Sequence, residues 1–212
     1  MTRRAPSPSP YEALPAGREL RPGGTALTDR ALAACALPTG ARVLDVGCGT
    51  GATLAHLAGL GFRAAGLDPS DLLLERARHR DSRLELVHGR AERLPWPERS
   101  LDGVLCECVL SLLEEPGRAL DEFRRVLRPG GHLILSDLYR RSGPGPWSSR
   151  AELETQLAER GFRTLLWEDH SRALQELAAR MVLAGESLDA FCGPCGCVPG
   201  YFLLAARLHP EP

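Results

Sequence analysis

The sequence predicts an α/β fold: a doubly wound, mostly parallel sheet with helices on both faces. Three observations lead there. Apolar runs of strand length, rich in Val, Leu and Ala, recur without in–out alternation, as expected of strands covered on both faces. Helical patterns separate these runs, giving repeated βα units. Several runs close on a carboxylate or a cysteine just before a turn, and ligands of open α/β sheets bind beyond the carboxyl ends of the strands.

The first helix is predicted over Leu27–Ala36 and the first strand over Arg42–Val46. The pattern continues with a helix at Ala52–Leu60, a strand at Ala64–Leu67, a helix at Ser70–Arg80 and strands at Leu84–Val87 and Gly103–Cys106. A helix at Pro116–Leu127 precedes a strand at His132–Ser136. Helices at Ser148–Arg160 and Ser171–Leu183 then flank a strand at Thr164–Trp167, and Tyr201–Arg207 supplies a seventh strand. The Gly/Pro/Ser stretch 142–149 reads as a loop.

A chain of 212 residues with 43% hydrophobic and 25% charged side chains can build a core without staples. The pattern reads as one domain over residues 11–212, preceded by a Ser/Pro arm (residues 1–10) expected to be disordered. A net charge of −1 gives no reason to expect nucleic acid or an anionic membrane as partner, and no uncharged apolar run is long enough to span a bilayer. All 26 basic residues are Arg, so an arginine here carries less functional weight than usual. The basic start MTRR lacks a following apolar segment, so the expected setting is cytoplasmic, with the seven cysteines reduced.

The first strand ends in VLDVGCGTG, Val43–Gly51. Gly47, Gly49 and Gly51 form a turn into a helix in which backbone amides can approach a ligand closely. Asp45 sits within this apolar strand end, where an ionised carboxylate needs a partner. Seventeen residues beyond Gly51 the second strand closes on Asp68, placed to accept hydrogen bonds from both hydroxyls of a ribose. Gly47, Gly49 and Ala52 also fit a dinucleotide fingerprint, but that motif has no need of the acid before its first glycine.

Taken with GRAERLPWPERSLDGVL (Gly89–Leu105) and LRPGGHLIL (Leu127–Leu135), these motifs resemble the class I S-adenosylmethionine-dependent methyltransferases. The resemblance is to the methyltransferase type 11, ubiquinone-biosynthesis-like group. It implies a Rossmann-like seven-stranded sheet whose last strand is antiparallel, with S-adenosylmethionine as cofactor and S-adenosylhomocysteine as product. Gly47, Gly49 and Gly51 would pass the methionine end and Asp68 would hold the ribose, with Asp45, Cys48 and Pro69 also binding the cofactor. Ala91 and Glu92 would flank the adenine, with Cys106 near the transferring methyl. Arg90 departs from the family, which often has an acid there. Arg21–Thr25 could close over the cofactor, with Tyr11 as a wall, or be a plain N-terminal turn.

Methyl transfer is an in-line displacement that needs alignment, exclusion of water and, for some acceptors, a base. The strand ends offer Glu107, Cys108 and His170 as acceptor-side catalytic candidates, together with Asp137; the other readings of His170 are a cap on the helix that follows it or a side chain in solvent. The connection from about residue 169 to 200 carries Cys192, Cys195 and Cys197, three thiols in six residues that could turn toward zinc or another soft metal or metalloid or form a reduced loop without a ligand. Cys106–Asp137 also looks like the corresponding stretch of arsenite methyltransferases, though their upstream cysteine pair is missing.

The expected function is methyl transfer to a small-molecule acceptor, by a monomer or homodimer with neither nucleic-acid nor membrane partners. The alternatives are arsenite or metalloid methylation, and a non-catalytic metal-binding module on the same fold.

Overall fold

The computed structural model describes residues 21–185 and 197–210. The 1–10 arm, Tyr11, Cys192 and Cys195 lie outside these residues. Seven strands, β1 (Arg42–Val46), β2 (Arg63–Asp68), β3 (Glu85–His88), β4 (Leu101–Glu107), β5 (Leu127–Ser142), β6 (Phe162–Asp169) and β7 (Val198–Leu208), form one sheet in the order β3-β2-β1-β4-β5-β7-β6. The pairs from β3 to β5 are parallel, and β7 runs antiparallel to both β5 and β6. The helices are α1 (Thr25–Cys35), α2 (Ala52–Gly59), α3 (Asp71–Arg80), α4 (Pro116–Val126), α5 (Arg150–Glu159) and α6 (Ser171–Leu183).

Burial explains the unbroken apolar runs. Leu44 and Val46 of β1, Val104 and Cys106 of β4, and Leu133 and Leu135 of β5 face a core shared with α4 and α5. The intervening Val43, Leu105 and Ile134 face a second core under α1, α2 and α6. Alternate residues of one strand thus enter different cores. Local signals set the helix starts. Ser70 Oγ accepts from Leu73 N at 3.3 Å to cap α3, Pro116 opens α4, and Ser149 with Glu152 forms a reciprocal capping box on α5.

The largest departure from the predicted elements is β5. Its 16 residues replace the five expected, and β7 begins at Val198 rather than Tyr201. The segment LYRRS ends in three polar residues that mask its strand character, although Tyr139 is buried in the first core and Leu138 packs against the second. It pairs through its backbone with β7, in register from Leu138↔Tyr201 to Ser142↔Val198. This two-stranded ribbon runs beyond Glu107, the last residue of β4. Gly200 allows it to close, because a Cβ there would sit 2.3 Å from Tyr139 Cε1.

The strand order reverses between β1 and β4, whose neighbours lead in opposite directions through the sheet. A crevice outside the carboxyl ends at such a reversal is the usual ligand position in this architecture.

Candidate active site

The turn after β1 occupies that crevice. Gly47, Gly49 and Gly51 have φ of 74°, 51° and 76°, in the left-handed region that favours glycine. The three are not equivalent. A Cβ on Gly47 would lie 2.2 Å from Val109 Cγ2, whereas one on Gly49 meets nothing within 4 Å. Gly49 thus borders open space.

Asp68 closes β2 and shapes the turn. Its Oδ2 accepts from Gly49 N at 2.9 Å and its Oδ1 from Ser70 N at 2.8 Å. Cys48 is buried, with its Sγ against Gly66, and burial pushes its thiol up.

Asp45 lies on the α1 face, 3% exposed. Its Oδ2 makes no hydrogen bond among the described residues. Burial, with Glu107 and Asp68 nearby, pushes its carboxyl up to about 8 against the opposing pull of Arg21. Glu107 has the opposite surroundings. Arg21 Nη1 forms an ion pair with its Oε2, Thr53 Oγ1 donates to the same oxygen at 3.1 Å, and Thr28 Oγ1 donates to Oε1 at 2.9 Å. Arg21 Nη1 also reaches Thr53 Oγ1 at 2.6 Å. The segment before α1, the start of α2 and the end of β4 are thereby tied together over the glycine turn.

Beyond Glu107, Cys108 adopts φ 57° and its Sγ lies 3.0 Å from Tyr201 Oη, which donates to Ser136 Oγ at 3.1 Å. Burial first, and Asp137 second, push the Cys108 thiol up, so it stays protonated at neutral pH. Asp137 accepts from Ser111 N at 3.0 Å and Leu138 N at 2.6 Å. It thereby holds the 3-10 turn Leu110–Leu112 that follows Val109.

The structure does not bring every candidate together. Cys106 is 0% exposed inside the α4 and α5 core, and burial pushes its thiol far up. Ala91 is also buried in that core, while Glu92 lies 3.8 Å from Arg90. His170 follows β6, three strand spacings from β4, or roughly 14 Å. Its Nε2 sits 3.0 Å from Glu168, which Arg30 of α1 also holds. Cys197 packs against Gly145. No group of three His, Cys, Asp or Glu side chains among the described residues could hold a metal ion, and no described helix is long and apolar enough to cross a membrane.

Sequence comparison finds similar proteins over this part of the chain. A methyltransferase-domain family model matches residues 44–135, from β1 into β5. The demethylmenaquinone methyltransferase of Clavibacter sepedonicus is 40% identical over 113 residues, spanning 52% of this chain and 45% of that protein. Over this region the chain is similar to S-adenosylmethionine-dependent methyltransferases. The malonyl-[acyl-carrier protein] O-methyltransferase of Yersinia pestis is 38% identical over 100 residues, covering 47% of this chain and 38% of its own length. The chain thus spans about half or less of these curated relatives.

Among solved structures, the [4+2]-cyclase SpnF superposes with a TM-score of 0.70 at 27% identity, covering 88% of this chain and 82% of its own. Phosphoethanolamine N-methyltransferase 2 of Haemonchus contortus, in complex with S-adenosyl-L-methionine, gives 0.73 at 19% identity, with coverage of 92% and 55%. The second likeness is one of fold alone.

The residues at the turn suit the family's cofactor. The orphaned Oδ2 of Asp45 suits an ammonium, the open space at Gly49 suits close backbone approach, and the carboxylate of Asp68 at the end of β2 suits vicinal hydroxyls. Gly49→Ala separates stability from binding. Its added Cβ clashes with nothing, so backbone strain alone should cost about 1 kcal/mol. Thermal unfolding should show that small loss, while calorimetric affinity for S-adenosylhomocysteine falls at least tenfold. An unchanged affinity would place the ligand elsewhere.

Proposed function

We propose that the chain is an S-adenosylmethionine-dependent methyltransferase acting on a small-molecule acceptor. The observation that carries this reading is the convergence of Asp45, Gly49 and Asp68 on one turn at the strand-order reversal. When bound, S-adenosylmethionine supplies an electrophilic methyl group on a sulfonium, open to in-line attack.

In this reading Asp68 orients the ribose through both carboxylate oxygens, and Asp45 receives the ammonium of the methionine end. Arg21 stands beside them with its guanidinium on Glu107 and Thr53, near enough to the turn to meet a ligand carboxylate. Residues 21–24, which it ties to β4 and α2, would help shield the reacting centre from water. Val109, seated against Gly47 and followed by the turn that Asp137 holds, would fix the wall between cofactor and acceptor.

Acceptor chemistry follows from the side chains nearest that wall. Glu107 is engaged by three donors, Cys108 is protonated, and His170 is held at the far edge of the sheet. This arrangement favours an acceptor that arrives as a competent nucleophile over one needing a strong base from the protein. Cys108 and Tyr201 would contact it as weak donors. The names of the relatives, a demethylmenaquinone methyltransferase and a malonyl-[acyl-carrier protein] O-methyltransferase, support a small organic acceptor more than arsenite, which needs several thiolates at one point. The SpnF likeness, to a protein named as a cyclase at 27% identity, favours a second reading in which the cofactor is held and no methyl is transferred.

The test is incubation with methyl-labelled S-adenosylmethionine and a panel of phenol, quinol, thiol, carboxylate and arsenite acceptors. Formation of S-adenosylhomocysteine with one of them is expected. Tight binding without turnover on any would favour the cyclase-like reading, and failure to bind S-adenosylhomocysteine would overturn both.

A further inference from the structure

Two buried carboxylates, Asp45 and Glu107, stand close together at the turn with Arg21 as the cation beside them. They are unequally served. Glu107 takes donors from Arg21, Thr28 and Thr53. Asp45 has an oxygen with no donor among the described residues, in a site 3% exposed. A buried acid without donors, beside another carboxylate, keeps its proton. The other ionisable groups facing Asp45 are Asp68 of β2, Cys106 of β4 and Cys48 of the turn. The carboxylate works against a second negative charge, and both thiols are protonated.

We infer that Asp45 is an amine-selecting residue that works by proton exchange. Its carboxyl carries a proton in the ligand-free chain and releases it to solvent as a ligand ammonium takes that place against Oδ2. The inference rests on the cofactor reading above and deepens it. The step balances: a neutral carboxyl and an ammonium become a carboxylate–ammonium pair, and one proton passes to buffer. The net buried charge at Asp45 is therefore the same before and after binding. A ligand with the nucleoside but no ammonium leaves the proton in place and gains nothing at Asp45. The site thereby separates ligands by their amino-acid end.

The sign of the pH dependence follows. Burial raises Asp45 to about 8, so in the range below that value the complex holds fewer protons than the free chain. Affinity for an amine ligand then rises with pH, by about tenfold per unit between pH 5.5 and 7.5. Stability of the ligand-free chain moves the other way, falling over the same range because the folded state holds a proton that the unfolded state has lost.

Titration calorimetry at pH 6.5, in buffers of different ionisation enthalpy, counts the proton directly. S-adenosylhomocysteine should release close to one proton from the wild-type chain and almost none from Asp45→Asn. Methylthioadenosine, which lacks the amino-acid end, should bind weakly and release none from either. Binding of S-adenosylhomocysteine with no proton release and a pH-independent affinity would overturn the inference and leave the cofactor reading standing. Release of the same size from Asp45→Asn would also overturn it. Failure of S-adenosylhomocysteine to bind at any pH would overturn the cofactor reading and the inference together. The wild-type comparison of the two ligands and the pH series decide the matter even where the variant does not fold.

Discussion

Asp68→Ala should weaken S-adenosylhomocysteine binding by roughly 1–3 kcal/mol, the usual scale for hydrogen bonds to a charged group, or about 5- to 150-fold. The loss has two sources. The ribose would lose its acceptors, and Gly49 N and Ser70 N, which the same carboxylate holds at 2.9 and 2.8 Å, would lose theirs. Asp68→Asn keeps one carbonyl oxygen and should fall between wild type and the alanine variant. Calorimetric titration of the three proteins checks the order. Equal affinities would sink the assignment of Asp68 to the ribose.

Arg21→Met should produce the largest loss of stability among these variants. The Arg21 and Glu107 side chains are 10% and 4% exposed, so removing the cation strands a buried carboxylate. Breaking such a pair typically costs about 3–5 kcal/mol. The two threonine donors to Glu107 bring the expectation to the low end, about 3 kcal/mol, which in a chain of this length is a fall of roughly 6–12 °C in the thermal midpoint. Pairing Arg21→Met with Glu107→Gln should restore most of it, since no unpaired charge then remains. Thermal denaturation of the two single variants and the double variant gives the coupling. Additive effects would show that Arg21 does not stabilise the fold through Glu107.

The fold was legible because each central strand enters two cores, so its apolar run is unbroken and easily told from its neighbours. Legibility failed where backbone pairing carries a strand past its apolar run, as in Arg140–Ser142 and Val198–Gly200, whose residues carry no hydrophobic period. At the site, the glycine turn, Asp45 and Asp68 belong to two successive strand ends, and their juxtaposition follows from the parallel pairing of β1 with β2. The link between Arg21 and Glu107 spans 86 positions, and no local pattern announces it. His170 illustrates the opposite error. Its place after a strand told correctly which end of the sheet it occupies. It could not tell how far along the sheet that end lies, because β7 inserts between β5 and β6.

That insertion also dictates an order of assembly. Among the described residues β6 has a single neighbour in the sheet, β7, which follows it in the chain after α6 and an intervening connection. Until Val198–Leu208 leaves the ribosome, β6 has no strand to pair with and β5 shows a bare edge. At ordinary synthesis speeds this interval lasts a few seconds. Open strand edges are templates for pairing with other chains, so the nascent protein is most exposed to aggregation just before its last strand arrives. The β1–β4 half, where the glycine turn lies, can form earlier from parallel pairs already synthesised. The ligand crevice is therefore begun well before the sheet that supports it is closed.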